Sequence, residues 1–148
     1  MFKRILVAVD DSDPANRAVD AAEDLARRYG AHLRVVNVHQ PIALTIAAAG
    51  SMPLPGFVDD TDREVEALDR SQVAAIVDRL KAAGIDAEGT LVVEGGPVGQ
   101  AIADVASQTA ADLVVTGSRG RSQLGGLVLG STAYQLIHLV QCPVLVVR

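Results

Sequence analysis

Leu113-Val114-Val115-Thr116-Gly117-Ser118-Arg119-Gly120, followed after nine residues by Gly130-Ser131-Thr132, is the stretch that decides the fold. Leu113 to Thr116 is a short apolar run of the kind that forms a strand buried on both faces, and Ser131 to Val140 has helical spacing. A strand that enters a glycine-rich loop and then a helix is one half of a parallel crossover, and open α/β sheets bind ligands at such a junction. Glycine tolerates φ above zero and lets backbone N–H groups approach a ligand, while a helix start offers unpaired N–H groups and the positive end of a dipole. An anion is the guest that this chemistry suits. Ser131 and Thr132 add hydroxyl donors, and Arg119 and Arg121 add countercharge. The chain carries 18 acidic against 13 basic residues, yet Leu113 to Arg148 contains no Asp or Glu. The competing reading of the same residues is a solvated loop with its arginines in water.

Outward from that stretch the pattern repeats. Ile5 to Val9 reads as a first strand ending at Asp10, and Asp13-Pro14 as an N-cap with proline in the first turn. Ala18, Ala22, Leu25, Ala26 and Tyr29 then recur at helical spacing until Gly30 stops the helix. Leu33 to Val38 is a second strand, His39 to Asp60 a long loop, and Val65, Leu68, Ile76 and Leu80 mark a charged amphipathic helix ending at Gly84. Its polar face reads as solvated. Leu91 to Val93 ends a third strand, Gly95-Gly96-Pro97 turns the chain, and Val98, Ile102, Val105 and Thr109 line a third helix. Pro143 to Val147 closes the chain as a fifth strand. Five strands alternating with four helices predict an α/β doubly wound parallel sheet with helices on both faces, as a single domain over residues 1–148.

Composition narrows the class. Apolar residues make up 49% of the chain but aromatics only 3%, so the core must be built from Val, Leu, Ile and Ala. A net charge of −5 gives no basic face for nucleic acid. The lone Cys142 cannot form an internal disulfide, the first residues lack a signal-peptide pattern, and a cytoplasmic setting is expected. Gln40 to Val58 is uncharged, but Pro41, Gly50, Pro53, Pro55 and Gly56 break it too often for a membrane helix.

Two common phosphate motifs fail. Gly125 to Ser131 imitates P-loop spacing but has Ser where that motif needs Lys, and the first strand–helix turn, Val9 to Asp13, has no glycine for a dinucleotide fingerprint. Gly117-x2-Gly120-x9-Gly130-Ser131 instead resembles the ATP-binding universal stress proteins. The likeness extends from Ile5-Leu6-Val7-Ala8-Val9-Asp10 to Cys142-Pro143-Val144-Leu145-Val146-Val147. It implies strand order 3-2-1-4-5, with the reversal between strands one and four. It further implies ATP as the ligand, with the nucleoside at Ala8, Val9 and Asp10, adenine beside Val38, and ribose and phosphates at Gly117, Ser118, Arg119, Gly120, Arg121, Ser122, Gly130, Ser131 and Thr132. Homodimerisation through Val144 to Val147 is also implied. That strand is uncharged and β-branched, and an edge of this kind is blunted in most monomers; the alternative is an edge covered by the Pro41 to Val58 loop.

Other candidates read as structural. Cys142 beside Pro143 is a small buried residue. His32, His39 and His138 have no nucleophile motif and read as surface or packing residues. Asp59, Asp60 and Asp62 precede a helix, where acids favour the dipole. Efficient phosphoryl transfer needs a base and magnesium ligands; only Asp10 and Glu94 lie near the strand ends, either able to hold Mg2+ through water. The expectation is an ATP-binding regulatory stress-response protein. A weak ATPase or nucleotidyl-transfer enzyme, and a ligand-free dimeric scaffold, are the alternatives. The residues do not separate ATP from AMP or a cyclic nucleotide.

Overall fold

The computed structural model describes residues 1–50, 52, 57–119 and 129–148, the side chains of 44, 45, 48 and 57 apart. The elements run β1 (Arg4–Ala8), α1 (Asp13–Tyr29), β2 (His32–His39), α2 (Ile42–Ala48), α3 (Phe57–Ala82), β3 (Ala87–Val93), α4 (Val98–Gln108), β4 (Leu113–Gly117), α5 (Ser131–Leu139) and β5 (Val144–Val147). All strand pairs are parallel, in the order β3-β2-β1-β4-β5. Ile5 stands opposite Leu33 on one side and Leu113 on the other, so β1 is central. Its continuous apolar run follows from that position, because both of its faces are covered. Ile5 and Val7 join α1 and α3 in one core cluster, and Leu6 and Ala8 join α4 and α5 in the other.

The helix α1 starts differently from the sequence expectation. Its cap is Ser12, whose Oγ accepts from the N–H of Ala15 at 3.3 Å, and Asp13-Pro14 forms the first turn. Gly30 closes the helix at φ 61°, the left-handed region where a side chain is strained. A fifth helix, the short α2, lies within the expected loop and packs on α3. The stripe expected on α3 is corrected at Leu68, which is 69% exposed: Leu80 is buried and Ile76 packs half-buried on the core, alongside the buried Val73 and Val77.

At the base of the sheet, Asp112 accepts from the backbone N–H groups of Lys3 at 2.8 Å and Arg4 at 3.1 Å, tying the chain's start to the foot of β4. Among the described residues β5 pairs only with β4, at the edge of the sheet, with Leu145 38% exposed. Among the described residues no helix is long and apolar enough to cross a membrane.

Candidate functional site

Where the strand order reverses, the ends of β1 and β4 part and open a cleft of about 540 Å3. Ala8, Val9 and Asp10 line one side, Val38 lines the β2 end, and Gly117, Arg119, Gly130, Ser131 and Thr132 line the other. These nine residues, drawn from both ends of the sequence, were expected at one site and share one cleft. Ser118 does not line it; its N–H donates to the carbonyl of Val147 at 2.6 Å and holds the cradle to β5. Gly120, Arg121 and Ser122 lie outside the described residues.

The glycines earn their places through close packing rather than unusual dihedrals. Neither Gly117 nor Gly130 uses the positive φ that glycine tolerates; Gly130 sits at −61°. A Cβ on Gly117 would lie 2.8 Å from the carbonyl carbon of Pro14 and 2.9 Å from the nitrogen of Ala15. The start of α1 can approach the tip of β4 only because that side chain is missing. A Cβ on Gly130 would lie 3.1 Å from the carbonyl oxygen of Ser118, and the N–H of Gly130 donates to that oxygen at 2.8 Å, closing the neck of the intervening loop.

The first helix of the cleft and the last differ in how their starts are satisfied. At α1, Asp10 Oδ1 accepts from both the N–H and the hydroxyl of Ser12, so Asp10 shapes the turn as well as lining the cleft. At α5, the N-cap is Gly130, which has no side chain to turn back onto the helix. Among the described residues, the first N–H groups of α5 therefore lack a cap from the N-cap side chain at the cleft, next to Arg119, a helix start of the kind that suits an anion.

The cleft also has a wall that the sequence reading missed. Asn37 and His39 line it from β2, Gln40 from the link that follows, Ile42 from α2, Val65 and Asp69 from α3, and Val98 and Ile102 from α4. Gln72 Nε2 donates to the carbonyl of Asp10 at 2.9 Å and joins α3 to the floor. His39 is only 2% exposed: Nδ1 faces Asp69 Oδ2 at 2.9 Å and Nε2 faces Asp62 Oδ1 at 3.2 Å. Of the two expected roles, surface or packing, it takes the second, with polar partners, and Asp62 does more than start a helix. Glu94 is exposed and does not line the cleft, which leaves Asp10 and Asp69 as its acids. Among the described residues no group of three or more His, Cys, Asp or Glu is arranged to hold a metal. Cys142 is away from the cleft, and burial pushes its thiol up from the ordinary value, which disfavours the thiolate.

A doubly wound sheet with a ligand cleft at its switch point and a helix start facing that cleft defines a class of small-ligand-binding α/β proteins. The sequence profile of the universal stress protein family matches residues 1–148, and the chain belongs to that family. A protein described as "Universal stress protein in QAH/OAS sulfhydrylase 3'region" from Thermus aquaticus is 34% identical over 148 residues, covering 100% of both chains. A solved universal stress protein from Archaeoglobus fulgidus is 28% identical with a TM-score of 0.73 and full coverage of both chains. A universal stress protein solved in complex with cAMP is 28% identical with a TM-score of 0.66, covering 99% of this chain and 97% of that one.

Proposed function

We propose that this chain is a cytoplasmic regulatory protein of the stress response that binds an adenine nucleotide, ATP foremost, over one domain spanning residues 1–148. The observation that carries this reading is the start of α5 at the cleft beside Arg119, with glycine as its N-cap, in a part of the chain with no acidic side chain. Phosphate would be received there by backbone N–H groups and by Ser131 and Thr132, ribose and base toward Asp10 and Val38. Gly120, Arg121 and Ser122 belong to the same proposed cradle. A cleft of about 540 Å3 is of a size suited to such a ligand. The solved relative bound to cAMP supports the adenine nucleotide class.

Binding, rather than turnover, is the proposed output. Asp10 Oδ1 already accepts two bonds from Ser12, and no described residue stands out as a base for an attacking water. Hydrolysis should run below about one turnover per minute. Purified protein, denatured and chromatographed, should release a stoichiometric adenine nucleotide or bind added ATP by calorimetry. Absence of both would favour the scaffold reading, and fast magnesium-dependent phosphate release would favour an enzyme.

The working unit is a homodimer joined through β5. The carbonyls of Pro143 and Val147 turn toward β4, where they accept from Val114 and Ser118. In a parallel ladder the alternate residues Val144 and Val146 then direct their backbone groups to the open edge. Val146→Pro removes one outward donor without touching the β4 ladder, and sedimentation should show the dimer weakened. A parent that sediments as a monomer, or a variant dimer as tight as the parent's, would remove this interface.

A further inference from the structure

The helices α4 and α5 flank the cleft together and are joined by a contact that the nucleotide reading does not use. The N-cap of α4 is Pro97, which offers no side-chain acceptor to the first N–H groups of the helix. The acceptor comes from the neighbouring helix instead: the N–H of Gly99, the second residue of α4, donates to Gln135 Oε1 of α5 at 3.1 Å. An N-cap side chain ordinarily serves the N–H at that position. Gly99 is buried in the first turn of a helix, where Ala would be the better helix former. Its missing side chain is what lets α5 come so close, since a Cβ there would lie 2.4 Å from Gln135 Oε1 and 2.5 Å from Gln135 Cβ. The second of those atoms is fixed to the backbone of α5 and cannot turn away with a change of rotamer.

We propose that Gln135 is a positioning residue for the phosphate end of the ligand: by capping α4 from α5 it fixes where the first turn of α5 stands in the cleft. Ser131 lies four residues before Gln135, on the same face of α5 and one turn nearer its start. Ser131, Thr132 and Ala133 line the cleft from α5, and Val98 and Ile102 line it from α4, whereas Gly99 and Gln135 do not line it. The pair acts on a ligand only through the placement of α5. The start of α4 is in turn referred to the other end of the cleft, because Gln40 Nε2, just past β2, donates to the carbonyl of Gly96 at 2.9 Å. One run of contacts, Gln40 to Gly96 and Gly99 to Gln135, therefore sets the spacing between the Val38 end of the cleft and the first turn of α5. Hydrogen bonds from several N–H and hydroxyl groups to one phosphate are directional, so a small shift of α5 weakens them together while the opposite end of the cleft keeps its shape.

The effect on phosphate rests on the nucleotide reading of the cleft; the cap on α4 does not. The cap is tested by hydrogen exchange on the ligand-free full chain. The amide of a second helical residue has no partner within its own helix, so protection at Gly99 reports the bond to Gln135 directly. Gln135→Met keeps the length and helix propensity of the side chain but removes the acceptor, and protection at Gly99 should fall at least about tenfold. Gln135→Glu keeps an acceptor, with a charge that a helix start favours, and should retain the protection. A Gly99 amide as protected in the Met variant as in the parent, or equally exposed in the Met and Glu variants, overturns the cap.

Calorimetry then separates positioning from general loosening, with ATP titrated directly and adenosine read by its displacement of ATP. In Gln135→Met the affinity for ATP should fall at least about fivefold while that for adenosine changes less than about twofold. Gly99→Ala, which presses on the same contact from α4, should give the same phosphate-weighted loss and serves if the first variant fails to fold. Gln100→Met, next to Gly99 but exposed and bonded only to Asp104 of its own helix, should leave both affinities unchanged. Equal losses for ATP and adenosine, or an ATP affinity unchanged in Gln135→Met, overturn the positioning role. A parent that binds neither ligand overturns the nucleotide reading and the phosphate role with it, while exchange at Gly99 still decides the cap.

Discussion

β2 begins and ends on a histidine, and each stands between two acids, but the two ends of this one strand are built for different work. At the base of the sheet, His32 Nδ1 faces Asp86 at 2.9 Å and Nε2 faces Glu88 at 2.8 Å, with the imidazole 31% exposed and Asp86 83% exposed. At the top, His39 and Asp69 are 2% and 6% exposed, and Asp62 is 24% exposed. Exposed ion pairs are screened and contribute little, whereas a buried charged group deprived of a partner is costly. The same local arrangement therefore trims the surface at one end and fixes a ligand cleft at the other.

The comparison is broken most readily by removing one acid from each end. Asp69→Ala should lower stability by about 3 kcal/mol, because it leaves His39 buried beside a lost partner. Asp86→Ala should be almost silent in the same urea titration. Equal effects would mean that burial does not separate the two clusters. Next in size, Gly117→Ala should cost about 2 kcal/mol, since the new Cβ meets the backbone of α1 and not a side chain that could turn away. Gly89→Ala, whose new Cβ would meet Val73 Cγ1 at 2.5 Å, should cost less if that side chain changes rotamer.

The smallest effect sharpens the base of the sheet. Partial burial pulls the His32 pKa down, but hydrogen bonds and charge from Asp86 and Glu88 outweigh it and hold the pKa above the ordinary histidine value. A raised folded-state pKa gives stability that is fully present below the unfolded value and is lost as pH rises through the folded one. Thermal melts should accordingly show parent and His32→Gln furthest apart in mild acid and converging in mild alkali. A gap that widens toward alkaline pH would reverse the assigned sign.

The sheet was legible because strands covered on both faces must be largely apolar, and Ile5 to Val9 and Leu113 to Val115 are. The strand order was not contained in that pattern; it came from the resemblance carried by the glycine motif. The cleft was legible at its cradle, where glycines and a helix start stand together in sequence. Its other wall was not, since His39, Asp62 and Asp69 are separated along the chain and meet only after β2 and α3 pack. A signal was present: Asp69 falls in the helical register of Val65, Val73 and Leu80, and His39 in the strand register of Leu33 and Val35, so both charges occupy inward positions. Leu68 was misassigned for the complementary reason, as an apolar residue just off that register and exposed.

The central place of β1 has a consequence for how the molecule comes into being. β1 can join β2 early, but its other neighbour, β4, is more than a hundred residues downstream, and Asp112, which fastens Lys3 and Arg4, arrives with it. Pairing over such a separation is slow, and a chain growing on the ribosome keeps that flank of β1 bare until β4 has emerged. The cleft needs Asp10 from the opening of the chain and Gly130 to Thr132 from its close. A growing chain therefore has only part of this cleft, and its two sides meet when α5 follows β4 into place.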